Sequence, residues 1–237
     1  MSKAWFAIPS ARPSREANES LVRWRCKGYG VSIWRDSAEG APFCNLLTVG
    51  PYPGYAKAVN ALAAEILRTD PECEWIVCGG DDTLPDERSA DDIAAECSAH
   101  FKGTLGVMQP TGDRWADGSI DRIAGSPWMG RDWCLRANGG AGPLWPEFTH
   151  MYVDQALQET AIRCGVFWQR RDVTHLHRHY LRDAERIDAG VRYADPPEHL
   201  KKWNSPQHWR EMAAIYERLR AQNFAPCMPV GAAERSV

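Results

Sequence analysis

The stretch from Glu74 to Asp86 constrains the fold of this chain more than any other. Its first half, Trp75-Ile76-Val77-Cys78, is a short apolar run that reads as a buried strand. Its second half sets Asp81 and Asp82 side by side after Gly79 and Gly80, just ahead of Pro85. A strand that ends on paired acids delivers them to its carboxyl end, which is where ligands bind in an open α/β sheet. Two adjacent carboxylates there suit a hard divalent cation that itself holds a phosphate. The same residues also fit an acidic turn in which Asp81 and Asp82 cap the helix expected near Ser89.

The flanking sequence alternates strand and helix. Trp5-Phe6-Ala7-Ile8 reads as a first strand stopped by the loop from Pro9 to Pro13, and the pattern from Glu16 to Lys27 reads as a helix ended by Gly28 and Gly30. Val31 to Trp34 and Asn45 to Val49 are the next strands, and Ala56 to Leu67 is a helix broken at Asp70-Pro71. Strand, helix, strand in this spacing opens a parallel βαβ unit. Beyond the Asp pair follow a helix from Ser89 to Lys102, a strand from Gly106 to Pro110 and a polar loop from Thr111 to Asp121. Ser205 and Pro206 start an amphipathic helix from Gln207 to Asn223. The expected class is α/β, a mixed central sheet flanked by helices. Residues 1–182 are expected to form the main domain, with 183–237 as a C-terminal helical extension packed on it.

Composition narrows the function classes. With 237 residues and 44% apolar content the chain supports a substantial core, and a formal charge of −3 gives no global pull towards nucleic acid or anionic membranes. No stretch is apolar for long enough to span a membrane and no signal peptide is visible, so a cytoplasmic location is expected. The eight cysteines are scattered without a CxxC pair and read as buried free thiols.

The matched motifs together resemble the GT-A fold of glycosyltransferases, particularly the family-2-like group, over roughly residues 3–180. Ile8-Pro9-Ser10-Ala11-Arg12 resembles the first-strand exit that touches the nucleotide, and Asp36 stands where that group places a base-reading acid. Gly54-Tyr55-Ala56-Lys57-Ala58-Val59-Asn60 resembles its Gly-x-x-x-(Arg/Lys)-x-x-Asn helix start, facing the nucleotide sugar. Gly79-Gly80-Asp81-Asp82-Thr83-Leu84-Pro85 resembles its metal-binding Asp-x-Asp-Asp-x-x-x-Pro region, except that Gly79 replaces the first acid. The resemblance implies a nucleoside-diphosphate sugar as donor, with UDP the habit of the family, and Mn2+ or Mg2+ as the ion. Implied donor contacts are Pro9, Ser10, Arg12, Asp36, Tyr55, Lys57, Asn60, Gly80 and Asp81. Asp154, just ahead of the next helix, matches the general base of inverting members; it also suits a helix N-cap, and Glu147 is the second carboxylate nearby.

Arg170 to Tyr180 carries His175, His177 and His179, which share one face if the segment is extended. In many GT-A enzymes a late His completes the metal coordination begun by the acids. His177 and then His175 are the expected ligands beside Asp81 and Asp82, with a solvated basic strand as the alternative. From Arg163 to Arg182 there are five arginines against Asp172 alone, which suits the phosphates of a donor or a nucleic-acid backbone. Enzymes that glycosylate modified bases in phage DNA have related chemistry, so the resemblance also implies a modified base in DNA as one acceptor. Two other classes stay open: a nucleotide or nucleic-acid binder without catalysis, for which the missing first acid speaks, and a metal-dependent phosphohydrolase using the His cluster and the Asp pair. The sequence leaves the oligomeric state open.

Overall fold

Along β1 (Ala4–Pro9), Trp5 and Ala7 enter one core while Ala4, Phe6 and Ile8 enter another, as the two-residue period of a strand requires. Both faces of this strand are therefore covered by helices, which is the condition for a parallel sheet. The computed structural model describes residues 2–38, 43–113, 125–178 and 201–225. Helix α1 (Ser14–Cys26) leads to β2 (Gly30–Arg35), which pairs in parallel with β1, and β3 (Leu46–Val49) pairs in parallel with β2. Helix α2 (Tyr55–Thr69) crosses back to β4 (Trp75–Val77), parallel to β1 on its other side.

After β4 come the short β5 (Thr83–Leu84), helix α3 (Ala90–Phe101) and strand β6 (Val107–Pro110). Strand β7 (Trp128–Gly130) lies antiparallel between β4 and β6, with α4 (Arg131–Arg136) following it. Helix α5 (Val153–Arg163) leads to β8 (Phe167–Arg170), parallel to β6, and β9 (Leu176–His177) pairs antiparallel with β5. The main sheet has seven strands in the order β3-β2-β1-β4-β7-β6-β8. It is the mixed α/β architecture expected from the sequence.

Helices α1 and α3 cover one face through Ala17, Leu21, Trp24, Ile93 and Cys97. Helices α2, α4 and α5 cover the other through Val59, Leu62, Ile66, Trp133 and Leu157. The last helix, α6 (Pro206–Ala221), adds Met212 and Leu219 to that second core. Ser205 accepts from the His208 amide at its start, and Ser89 accepts from the Asp92 amide at the start of α3. Helix α3 is thus capped by Ser89, and the Asp pair is left for other work. The described cysteines are all free; Cys73, Cys78, Cys97, Cys134 and Cys164 are buried. Among the described residues no helix is long and apolar enough to cross a membrane.

Candidate active site

The Asp turn is held from both sides of the sheet. Behind Cys78, the Tyr55 hydroxyl donates to the Gly79 carbonyl at 3.1 Å, and the Gly80 amide donates to the Thr83 hydroxyl at 3.2 Å. From α1, Trp24 Nε1 and the Ser20 hydroxyl both donate to the Thr83 carbonyl, at 2.8 and 3.0 Å. Trp24 is itself fixed by stacking on Phe6 with ring centroids 3.9 Å apart. The pairing of Thr83 with His177 then carries the β9 strand to the same place. Asp86 locks that strand further by accepting from the Thr174 amide at 2.7 Å.

All four carboxylate oxygens of the Asp pair are engaged. Asp81 Oδ1 meets Arg12 Nε at 2.6 Å, and Asp81 Oδ2 accepts from the Ser10 hydroxyl at 2.6 Å. Asp82 Oδ2 lies 3.2 Å from Arg12 Nη2, and Asp82 Oδ1 lies 3.2 Å from His177 Nε2. Burial alone would raise the Asp82 carboxyl, but the His177 and Arg12 contacts outweigh it and leave it below the usual range. Gly80 makes room for this arrangement, because a Cβ there would lie 2.3 Å from Asp82 Oδ1. Ser10, Arg12, Asp81, Asp82 and His177 are thus brought together at the carboxyl ends of β1 and β4, with Pro9 as the last residue of β1.

Asp154 sits in the first turn of α5, one residue past its start. The cap position belongs to Tyr152, in the left-handed region at φ 65°, so the N-cap reading of Asp154 is corrected. Burial pushes the Asp154 carboxyl up to about 7, against a smaller lowering effect from His177. Its charge is also felt by Tyr55 and Cys78, beneath the Asp turn. Glu147, the other carboxylate considered, pairs with Arg218 of α6 instead.

Four expectations from the sequence change on folding. His175 is a core residue: its Nε2 accepts from Trp128 Nε1 at 3.3 Å, which leaves Nδ1–H to donate to the Ser126 hydroxyl at 2.9 Å. Burial drops its pKa to about 3, and with both nitrogens engaged it is no metal ligand. Asn60 is buried too, and its amide donates to the carbonyls of Ala141 and Leu144 and accepts from the Leu144 amide. It anchors the loop at Ala141 and Leu144 rather than facing a sugar. Two arginines of the basic stretch are in ion pairs, Arg163 with Glu159 at 2.9 Å and Arg170 with Glu96 and Asp172. Lys57 is exposed on α2. His179, Arg182 and the loop from Arg114 to Asp121 lie outside the described residues.

Asp36 is exposed at the exit of β2, and its charge reaches Tyr52, whose hydroxyl is raised first by burial and then by Asp36. Tyr52 packs edge-on against Trp203 at 5.5 Å, and Trp203 packs against His208 at 5.4 Å. Sequence reasoning missed this aromatic wall, and also the Ser126–His175 pair. Residues 52 and 203 belong to segments with no shared pattern, so no local signal links them.

The donor set itself suits a divalent ion: two carboxylates and an imidazole at one sheet edge, already drawing in a cation, the Arg12 guanidinium. Among the described residues no three His, Cys, Asp or Glu side chains form a group that could hold a metal ion, and Arg12 and Ser10 engage the Asp81 oxygens.

No protein-family model matches the chain, and no curated protein matches it. Similar solved structures include the catalytic domain of Drosophila beta1,4galactosyltransferase 7 with xylobiose, at 13% identity and a TM-score of 0.47, over 77% of this chain and 73% of that one. A mutant of the same enzyme with manganese, UDP-Gal and xylobiose aligns at 12% identity and a TM-score of 0.45, over 86% and 79%. A glycosyltransferase involved in glycosylation of the major capsid of PBCV-1 aligns at 12% and 0.40, over 80% and 98%. The likeness is to glycosyltransferases; at these scores it carries no argument about substrate or chemistry, which rest on the site's own residues.

Proposed function

We propose that the chain is a glycosyltransferase of GT-A type that moves a sugar from a nucleoside-diphosphate sugar, UDP-linked by family habit, to an acceptor hydroxyl with inversion. Residues 1–182 would be the catalytic unit, and 183–237 an extension seated on it through α6. The observation that carries this reading is Asp154, a half-buried carboxyl in the first turn of α5 that is raised to about 7. His177, which contacts Asp82, is close enough to act on it.

A general base works best when its pKa lies near the working pH. Asp154 would take the proton of the acceptor hydroxyl as that oxygen bonds to the anomeric carbon and the bond to the donor phosphate breaks. The departing diphosphate carries the charge away, and Arg12 at the end of β1 offers a guanidinium of matching geometry. Asp36 and Tyr52 would border the base. Asp81, Asp82 and His177 are the groups that would hold Mn2+ or Mg2+. When bound, such an ion would neutralise charge on the diphosphate. The phosphohydrolase reading loses its histidine cluster, because His175 belongs to the core.

The test is a thermal-shift panel of nucleoside diphosphates and nucleotide sugars, each with and without MnCl2. Stabilisation by one nucleotide base, strengthened by metal, is the expected result, since a ligand of the folded state raises stability by RT ln(1 + [L]/Kd). A panel without any shift would refute the assignment.

A further inference from the structure

Strands β5 and β9 are two residues each, and a ladder that short does not hold itself together. Yet His177 meets Asp82 at 3.2 Å, and the Arg178 amide donates to the Asp82 carbonyl at 2.9 Å. A fastening lies upstream, in the connection from β8. Asp86 is buried and takes three donors: the Thr174 amide on Oδ2 at 2.7 Å, and the Arg88 amide and Nε on Oδ1 at 3.0 and 3.1 Å. Arg88 then reaches across, with Nη2 donating to the Asp172 carbonyl and Nη1 to Glu96 of α3, each at 3.2 Å. Arg170, at the end of β8, closes the ring by pairing with both Glu96 and Asp172. Burial alone would raise the Asp86 carboxyl, but the Arg88 and Thr174 donors outweigh it and leave it below the usual range.

We propose that Asp86 is a positioning residue: clasped by Arg88, it sets residues 171–178 across the Asp turn and so holds His177 against Asp82. It acts on the reaction through His177, and that part rests on the donor reading above. An aspartate is required because all three partners donate, and only a carboxylate accepts on both oxygens. Asparagine must turn its NH2 towards one of them, and so gives up either the Thr174 side or the Arg88 side of the clasp. Either loss leaves the two-residue ladder of β5 and β9 to hold His177 with less support.

The experiment follows amide hydrogen exchange by NMR in the full chain, for wild type, Asp86→Asn and Arg88→Met. It also measures release of nucleoside diphosphate from nucleotide sugars by each protein, with His177 intact and as His177→Ala. Asp86→Asn should speed exchange of the Thr174 and Arg178 amides by ~10-fold or more, the worth of one hydrogen bond to a charged group, while the amides of β1 and β2 keep their protection. Arg88→Met keeps the amide of residue 88 and should do the same to a smaller degree, so it decides the matter if Asp86→Asn misfolds. Turnover should fall ~10²-fold in Asp86→Asn, the cost of a misplacement of about 1 Å. It should fall by no further factor when His177→Ala is already present, because the two residues act as a unit. Unchanged exchange at 174 and 178 in the folded variants overturns the clasp, and losses that multiply across Asp86→Asn and His177→Ala overturn its action through His177. If wild type turns over no nucleotide sugar, the donor reading falls, and exchange at Arg178, bonded to Asp82, still upholds or overturns the clasp.

Discussion

Asn60 distinguishes a structural from a ligand-binding role in one substitution. Its amide makes three hydrogen bonds inside the protein, at 3.1 and 2.7 Å to the Ala141 and Leu144 carbonyls and 3.0 Å from the Leu144 amide. Asn60→Ala leaves those backbone groups without partners at a site that is only 8% exposed. At about 1 kcal/mol for each lost bond, the cost is about 3 kcal/mol. For a chain of this size that lowers Tm by about 6–12 °C. Gly142 supplies an internal check. It sits at φ +115°, and a Cβ there would lie 2.6 Å from Asn60 Cγ. Gly142→Ala should therefore destabilise the wild type by more than it destabilises Asn60→Ala, with the residual cost coming from the positive φ and from the Cβ at position 60, 2.8 Å from the added methyl. Thermal melts followed by circular dichroism, with nucleoside-diphosphate binding measured on the same samples, give both readouts. A Tm within about 2 °C of wild type together with lost nucleotide binding would refute the anchoring role and return Asn60 to the donor site.

Further outcomes follow from the same geometry. Gly80→Ala should leave the fold nearly intact, since its Cβ meets only the end of the Asp82 side chain, but it should displace that carboxylate from Arg12 and His177 and cut turnover about 10²-fold; wild-type turnover would show that the Asp82 position is not needed. His175→Ala should destabilise the protein by about 3 kcal/mol through its lost bonds and ring contacts while leaving Mn2+ affinity unchanged, and weakened metal binding would reinstate His175 as a ligand. Because the folded state holds His175 neutral down to about 3, wild-type stability should be full above about 6.5 and fall as pH drops below it, a slope that His175→Ala should lack in urea titrations. For Asp154, whose carboxyl is raised to about 7, turnover should be present above that pH and lost as pH falls through it. A profile flat from pH 5.5 to 8.5 would remove Asp154 as the base.

The sheet was legible where apolar runs were bounded by Gly and Pro. β1, β2, α2 and β4 all fall within a few residues of their sequence expectation, and Ser205-Pro206 marks the start of α6. Ser10, Arg12, Asp81, Asp82 and His177 meet at the carboxyl ends of β1 and β4. His175 and Asn60 were misread for one reason: sequence shows a polar side chain but not which backbone groups it satisfies. Trp128 and Ser126 close off His175, and the loop carbonyls at 141 and 144 close off Asn60. The replacement of an expected metal contact by Arg12 was also hidden, because Arg12 and the Asp pair are about 70 residues apart in the chain. Only the β1 and β4 carboxyl ends being neighbours in the sheet brings them together.

The most direct test of the central claim compares wild type with Asp154→Asn for release of nucleoside diphosphate from a panel of nucleotide sugars with MnCl2, together with donor affinity by calorimetry. The account predicts that wild type turns over one nucleotide sugar, and that Asp154→Asn binds it about as tightly while releasing product ~10²–10⁴-fold more slowly. Turnover unchanged in Asp154→Asn, or no release from any nucleotide sugar by wild type, would contradict it.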